Sequence, residues 1–240
     1  MTVALEAFAK PSAELVLSVL HGFSPGPHAE FAEAIGGLDW DEFAGAVAEM
    51  QRSVPATIGP DSFSFILAKQ EAHENSGVEI IGHVAETVEE PRHRAMLKSH
   101  VADEVRHSKA FLALRRLLSP GKTVAPLAQE GPDPFIAQYR GDLASFLWDT
   151  HFAEINSIFY LSAIRTAVSH PEPAVARKID VALAKVIADE GRHVASTASI
   201  LSDLFADDPL MGARMQASFD DHSAAIREQA ARLARESAPA

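Results

Sequence analysis

Hydrophobic residues recur along nearly the whole chain at intervals of three and four, the spacing of one face of an α-helix. No convincing alternation of the β-strand type interrupts them. Prolines and glycines divide the pattern into predicted helices over residues 4–22, 28–52, 62–88, 91–118, 142–168, 173–205 and 209–236, with the fifth starting at 135 as an alternative. The chain is therefore predicted to be all-α.

The connections between the four central helices predict how those helices pack. Short turns near residues 89–91 and 170–173 predict two antiparallel hairpins. The connection over residues 119–134 is rich in proline and glycine and can extend to about 50 Å, further than the about 40 Å of a neighbouring helix. Residues 62–205 therefore predict a four-helix bundle with one crossover, within a single domain that includes the flanking N- and C-terminal helices.

The hexapeptide Ala-Asp-Glu-x-Arg-His occurs twice, at residues 102–107 and 188–193, within two of the long helices. The glutamate and histidine of each copy are three residues apart, so their side chains leave the same helix face about one turn apart. Both pairs also fall on the apolar stripe of their helix, which points them into the core. The pairs are Glu104 with His107 and Glu190 with His193.

A third Glu-x-x-His shows that this spacing alone is a weak signal. Glu90 and His93 have the same separation, but Pro91 lies between them at a predicted turn. We interpret this third pair as chance.

The partner helix of each hairpin offers an inward carboxylate at the same height. Residues of two antiparallel helices lie level when their midpoint falls in the connecting turn. The midpoint of Glu154 and Glu190 is residue 172, and that of Glu74 and Glu104 is residue 89, both within the predicted turns. Glu71 lies one turn before Glu74 on the same face and remains an alternative to it.

Charge favours metal ions at these positions. Each carboxylate left unpaired in a core would cost about several kcal/mol. Two divalent cations would neutralise four carboxylates, whereas the alternative is a set of buried Glu–His and Glu–Arg hydrogen bonds without metal. His100 and His151 also face these stripes, either as further ligands or as hydrogen-bonded core residues. The predicted ligands are Glu74, Glu104, His107, Glu154, Glu190 and His193.

Composition narrows the remaining choices. The chain has no cysteine, which excludes disulfides, thiolate zinc sites, cysteine nucleophiles and rubredoxin-type iron centres. Its net charge of −12 makes nucleic acids and anionic membranes poor partners. We expect neither a membrane span nor a secretory signal, and we therefore expect a cytoplasmic location.

At these residues the chain resembles the ferritin-like di-iron carboxylate proteins, whose bundle helices carry Glu, Glu-x-x-His, Glu and Glu-x-x-His in that order. The Asp-Glu-x-Arg-His form is similar to the di-iron oxygenases, including multicomponent monooxygenase hydroxylases and aminobenzoate N-oxygenases. The resemblance covers about residues 62–205. It implies one iron on Glu74, Glu104 and His107 and a second on Glu154, Glu190 and His193, with manganese as an alternative metal.

The same resemblance implies that Asp103 and Asp189 orient ligand histidines; the alternative is that both are solvated charges on a helix face. An extra histidine ligand is a feature of the aminobenzoate N-oxygenases, but there it lies on the last bundle helix, where this chain has Val186.

The activity implied by the resemblance is O2-dependent hydroxylation or N-oxygenation of a small organic substrate. Electrons would come from a separate reductase or ferredoxin, because the sequence has no flavin, nicotinamide or iron–sulfur motif. The alternatives are a ferroxidase or iron-handling protein, an acyl desaturase-like oxidase, and a helical scaffold without catalysis. A homodimer is left open. Five phenylalanines either line a substrate pocket or form plain core, namely Phe63, Phe65, Phe111, Phe152 and Phe159.

Overall fold

The computed structural model describes residues 10–20, 28–126, 136, 139–205, 208 and 210–236. Its regular structure is helical, and the described residues contain no β-strand, so the all-α prediction is confirmed. The helices are α1 (Ala13–Leu20), α2 (Ala29–Gly37), α3 (Trp40–Ser53), α4 (Pro60–Thr87), α5 (Pro91–Leu118), α6 (Leu143–Ala167), α7 (Pro173–Phe205) and α8 (Met211–Glu236). None of these described helices is long and apolar enough to cross a membrane.

The four long helices α4 to α7 begin and end close to their predicted limits. Three of them start at a proline, namely Pro60, Pro91 and Pro173. Proline suits the first turn of a helix because its fixed φ is already helical and its missing N–H would have no partner there. The prolines read as turns in the sequence are thus also helix starts.

The predicted helix over residues 28–52 is wrong as a single element, because the structure has α2 and α3 in its place. Gly36 and Gly37 weaken the end of α2, since glycine loses more backbone freedom in a helix than other residues do. Asp39 then starts a new helix, with its side chain accepting the backbone N–H of Glu42 at 3.1 Å. An Asp of this kind is a helix N-cap.

The predicted N-terminal helix over residues 4–22 is also wrong as a single element. Pro11 and Ser12 are not helical, and α1 begins only at the next residue. Proline lacks the N–H that a helix interior needs, and it disfavours helical geometry in the residue before it. The remaining predicted residues, 4–9 and 21–22, lie outside the described part of the chain.

The connection predicted over residues 119–134 is described as far as residue 126, and it is not helical there. Gly121 has a φ of 79°, which glycine adopts at no steric cost. Residues 127–135 lie outside the described part, so the crossover stays a prediction.

The chain divides into two compact units. The first unit comprises residues 1–56, 144–167 and 187–240, and the second comprises residues 57–143 and 168–186.

In the second unit, α4 packs along α5 as the hairpin prediction requires. Lys98 Nζ on α5 lies 3.0 Å from Glu86 Oε1 on α4. Further along the pair, Ser108 donates a hydrogen bond to Asn75 Oδ1 at 2.7 Å. These contacts at two heights fix the register of α4 against α5.

In the first unit, the flanking helices cover one face of α6. Phe43 of α3 and Phe152 of α6 both pack on Phe219 of α8, with ring centroids 5.2 and 5.3 Å apart. Trp40 of α3 completes this cluster, 5.4 Å from Phe219. The aromatic cluster buries the side of α6 that carries Phe152.

The phenylalanines singled out in the sequence divide into two kinds. Phe65 is 59% exposed and lies under the Lys69 ammonium group, 4.5 Å from its ring centroid, so it lines no buried pocket. The other four are buried, namely Phe63, Phe111, Phe152 and Phe159.

Candidate metal sites

The first hexapeptide copy meets Glu74 inside the second unit. We call Glu74, Glu104 and His107 the second-unit group. All three are buried, and one ligand atom from each lies within 4.8 Å of the others. His107 Nδ1 is 3.3 Å from Glu74 Oε2 and 3.8 Å from Glu104 Oε1. Donor atoms around one ion are about 3 Å apart, so small side-chain adjustments would let this group hold a cation.

His100 extends the second-unit group by one helical turn. It is buried on α5, four residues before Glu104, and its Nε2 atom lies 3.4 Å from Glu104 Oε1. The imidazole therefore shares a carboxylate with the group. Its role as a further ligand stays a prediction.

Glu71, the alternative to Glu74, has a charged partner of its own. Its carboxylate forms an ion pair with the guanidinium of Arg115, and their side chains are 1% and 13% exposed. The structure thus pairs Glu71 with a cation and brings Glu74 together with Glu104 and His107. This arrangement agrees with the preference for Glu74 based on register.

Gly77 gives the Glu104 carboxylate room against α4. A Cβ atom at this position would lie only 2.6 Å from Glu104 Oε2, closer than real contacts of this kind. Gly77 follows Glu74 by three residues, so both face α5. The carboxylate oxygen therefore lies directly over the helix backbone.

The second hexapeptide copy meets Glu154 inside the first unit. We call Glu154, Glu190 and His193 the first-unit group. His193 Nδ1 on α7 lies 2.8 Å from Glu190 Oε2 and 3.7 Å from Glu154 Oε1 on α6. The predicted level pairing of Glu154 with the hexapeptide is confirmed.

The buried carboxylates of Glu154 and Glu190 lie around the His193 imidazole, and the pKa values of Glu190 and His193 are shifted as a result. Burial, reinforced by the charge of Glu154, raises the pKa of Glu190 well above its ordinary value. Burial alone would lower the pKa of His193, but hydrogen bonds to Glu154 and Glu190 and their charges together raise it well above that of a free histidine. In the absence of a cation, a proton held on His193 between the two carboxylates offsets part of their charge.

His151 provides a second imidazole beside the first-unit group. Its Nδ1 atom is 2.9 Å from Thr197 Oγ1, and that hydroxyl donates to the backbone carbonyl of His193 at 2.9 Å. The hydroxyl has one proton, so its oxygen accepts from His151 Nδ1–H and leaves a lone pair on Nε2.

Burial lowers the pKa of His151 to about 3, which keeps the ring neutral. Its Nε2 atom is buried and has no hydrogen-bond partner among the residues that the structure describes. A neutral imidazole with a free nitrogen is the form that binds metal. His151 remains a candidate ligand.

The aspartates of the two hexapeptide copies are buried, 5% exposed for Asp103 and 4% for Asp189. The alternative of solvated helix-face charges is therefore wrong. Asp103 pairs with Arg106 and Asp189 with Arg192, one turn later on the same helix. Orientation of a ligand histidine by either aspartate stays a prediction.

The third Glu-x-x-His belongs to a helix start. Glu90 is the N-cap of α5, and its side chain accepts the backbone N–H of His93 at 2.6 Å. A glutamate used in this way satisfies one of the unpaired N–H groups of the first turn. The spacing therefore has a folding role here.

Sequence reasoning missed three residues that shape the two groups: Gly77, Arg115 and the hydroxyl of Thr197. A glycine in the middle of a 28-residue helix was a signal for Gly77, because glycine is costly there. Arg115 lies on the helix face of Glu104, three turns later. Thr197 falls on the apolar stripe of its helix, where a hydroxyl needs a partner, and that was its signal.

Comparison of the chain with known protein families, with curated proteins and with solved structures gives no match. What the chain does must therefore be argued from the two groups themselves.

Proposed function

We propose that this chain is a di-iron oxygenase that uses O2 to hydroxylate or N-oxygenate a small organic substrate. One observation carries the proposal. Each hexapeptide copy lies with a carboxylate of the preceding helix in a buried group of two carboxylates and one imidazole. The second-unit group would hold one iron, and the first-unit group the other.

The charge and chemistry of each group fit such an ion. Two carboxylates match the charge of one divalent cation, and neutral imidazole is a common third ligand. Burying the same carboxylates without a cation would cost about several kcal/mol each. Carboxylate and imidazole together suit iron or manganese, whereas the chain lacks the cysteines of softer metal sites.

The residues around the groups supply what the reaction needs from the protein. Arg106 and Arg192 pair with the buried aspartates of the hexapeptides and hold those side chains in place. The side chains of His151, Glu190 and His193 are at most 2% exposed, which supports a site closed to water. Bound iron would supply the redox chemistry with O2.

The proposed reaction balances with an external donor. One oxygen atom enters the C–H or N–H bond of the substrate, and the other leaves as water with two protons and two electrons. A separate reductase or ferredoxin supplies those electrons. The same donor would serve a desaturase-like oxidase, which removes two hydrogens from its substrate.

Metal content and Fe(II) oxidation test the proposal. The purified chain, loaded with Fe(II) without air, should hold about two equivalents. On exposure to O2 it should oxidise that iron once and stop until a reductant is added. Well under two equivalents of bound iron would refute the sites. Continued oxidation of added Fe(II), with the product retained as mineral, would instead support iron storage.

A further inference from the structure

Gly77 lies in the middle of α4, where glycine is costly. In a helix interior, glycine is less stable than alanine by about 1 kcal/mol. Gly77 is helical and does not have a positive φ, so its backbone does not require glycine. What distinguishes Gly77 is the space where a side chain would be.

That space is taken by the head of one carboxylate. A Cβ at position 77 would meet Glu104 Oε2 at 2.6 Å, Glu104 Cδ at 3.5 Å and Glu104 Cγ at 3.6 Å. The two carbon distances are ordinary contacts, whereas the oxygen distance is not. A methyl group would therefore displace the carboxylate head and leave the stem and both helices in place.

A second glycine on the same helix shows that this crowding is local. At Gly82 an added Cβ would find its nearest atom, Val101 Cγ2, 4.0 Å away. The contact between α4 and α5 therefore accommodates a methyl group at Gly82 as it stands, whereas a methyl group at Gly77 requires the Glu104 carboxylate to move.

We propose that Gly77 is a positioning residue for the metal ligand Glu104. Because it has no side chain, the Glu104 carboxylate can lie against α4, close to Glu74 and His107. A methyl group at position 77 would push the carboxylate away from this arrangement. The inference rests on the proposed function, since it assigns Gly77 a role in holding the second-unit metal.

Mn(II) binding to Gly77→Ala, with Gly82→Ala as the matched control, tests the role. Both variants gain the helix propensity of alanine, so the metal-free forms should melt at or above the wild-type temperature. Gly82→Ala should bind Mn(II) as the wild type does. Gly77→Ala should bind one of the ions about 10- to 100-fold more weakly, the range seen when the support of a ligand is altered.

A compensating change separates the steric role from a general defect. Glu104→Asp shortens the side chain by one methylene and withdraws the carboxylate from position 77. The double variant Gly77→Ala with Glu104→Asp should lose less affinity than the two single changes predict together. If Gly77→Ala does not fold, the double variant should restore the helical circular dichroism; if it does not, the steric role is wrong.

The outcomes are distinguishable. A wild type that binds no Mn(II) or Fe(II) would overturn the proposed function, whatever the variants do. A wild type that binds metal, with Gly77→Ala binding equally well, would overturn the positioning role alone. Equal losses in Gly77→Ala and Gly82→Ala would overturn it too, because the effect would then be one of the helix.

Discussion

The two candidate groups share a hexapeptide but differ in what surrounds it. In both, an aspartate is buried against an arginine, and a glutamate and a histidine meet a carboxylate of the preceding helix. The additional imidazole comes from different places. In the second-unit group it is His100, on the same helix as the hexapeptide, and in the first-unit group it is His151, on the partner helix.

Two positions just outside the hexapeptide account for this difference. Four residues before the glutamate, the first copy has His100 and the second has Val186. Four residues after the histidine, the first copy has Phe111 and the second has Thr197, whose hydroxyl holds His151. The repeated motif thus supplies the same Glu–His pair twice, whereas its flanks differ at the positions beside the additional imidazole.

The largest expected effect is the loss of one ion. Glu104→Gln and Glu190→Gln keep the side-chain shape but remove the charge that attracts a cation. Each variant should lose about one of two equivalents of Fe(II), measured by metal analysis after anaerobic loading. Unchanged metal content in either variant would refute that ligand assignment.

The second prediction concerns the buried ion pair between Arg115 and Glu71, one helical turn before Glu74. Arg115→Met leaves Glu71 buried without its cation, so the free energy of unfolding should fall by about 3–5 kcal/mol in a urea titration followed by circular dichroism. Adding Glu71→Gln should restore most of that loss. A further drop in the double variant would contradict the pairing.

Lys98→Met is the matched control for Arg115→Met. Lys98 pairs with Glu86 between the same two helices, but both side chains are more than half exposed. Its loss should change the free energy of unfolding by no more than about 1 kcal/mol.

The next prediction concerns the hydrogen bond between Thr197 and His151, the additional imidazole of the first-unit group. Thr197→Val keeps the branched shape but removes the hydroxyl that accepts the Nδ1–H of His151, which should cost about 1.5 kcal/mol of unfolding free energy. Thr150→Val is the control, because the Thr150 hydroxyl donates to the Phe146 carbonyl within its own helix. That control should change stability by about 0.5 kcal/mol or less.

The smallest effect is expected at the third Glu-x-x-His. Glu90→Ala removes the N-cap of α5 and should cost about 1 kcal/mol of unfolding free energy, seen as a lower midpoint in urea. Metal content should stay at the wild-type value. If Glu90→Ala released an ion, the distinction between this pair and the two hexapeptides would be wrong.

The long helices and the residues of both groups could be predicted because they depend on local spacing. Helical period and the midpoint of each turn predicted that Glu74 lies near Glu104 and Glu154 near the second hexapeptide, and the structure has both contacts. Prolines marked the starts of three of the four helices that carry these residues. These features follow from the geometry of single helices and short turns.

What could not be predicted depends on distances between side chains of different helices. The ion pair of Glu71 with an arginine eleven residues after Glu104 could not be read from spacing within single helices. The role of Gly77 depends on the position of the Glu104 carboxylate on the other helix, which sequence spacing does not give. The burial of Asp103 could not be read from a charged residue on a helix, since both solvated and paired aspartates fit the same pattern.

The aromatic residues of the first unit allow that unit to be followed by fluorescence. The chain has 2 tryptophans, Trp40 and Trp148, and both belong to the first unit. Trp148 lies 5.9 Å from His151, ring to ring, so quenching of its emission would report an ion arriving near that imidazole. Tryptophan fluorescence is therefore a built-in optical label for the first unit, since the second unit contains no tryptophan.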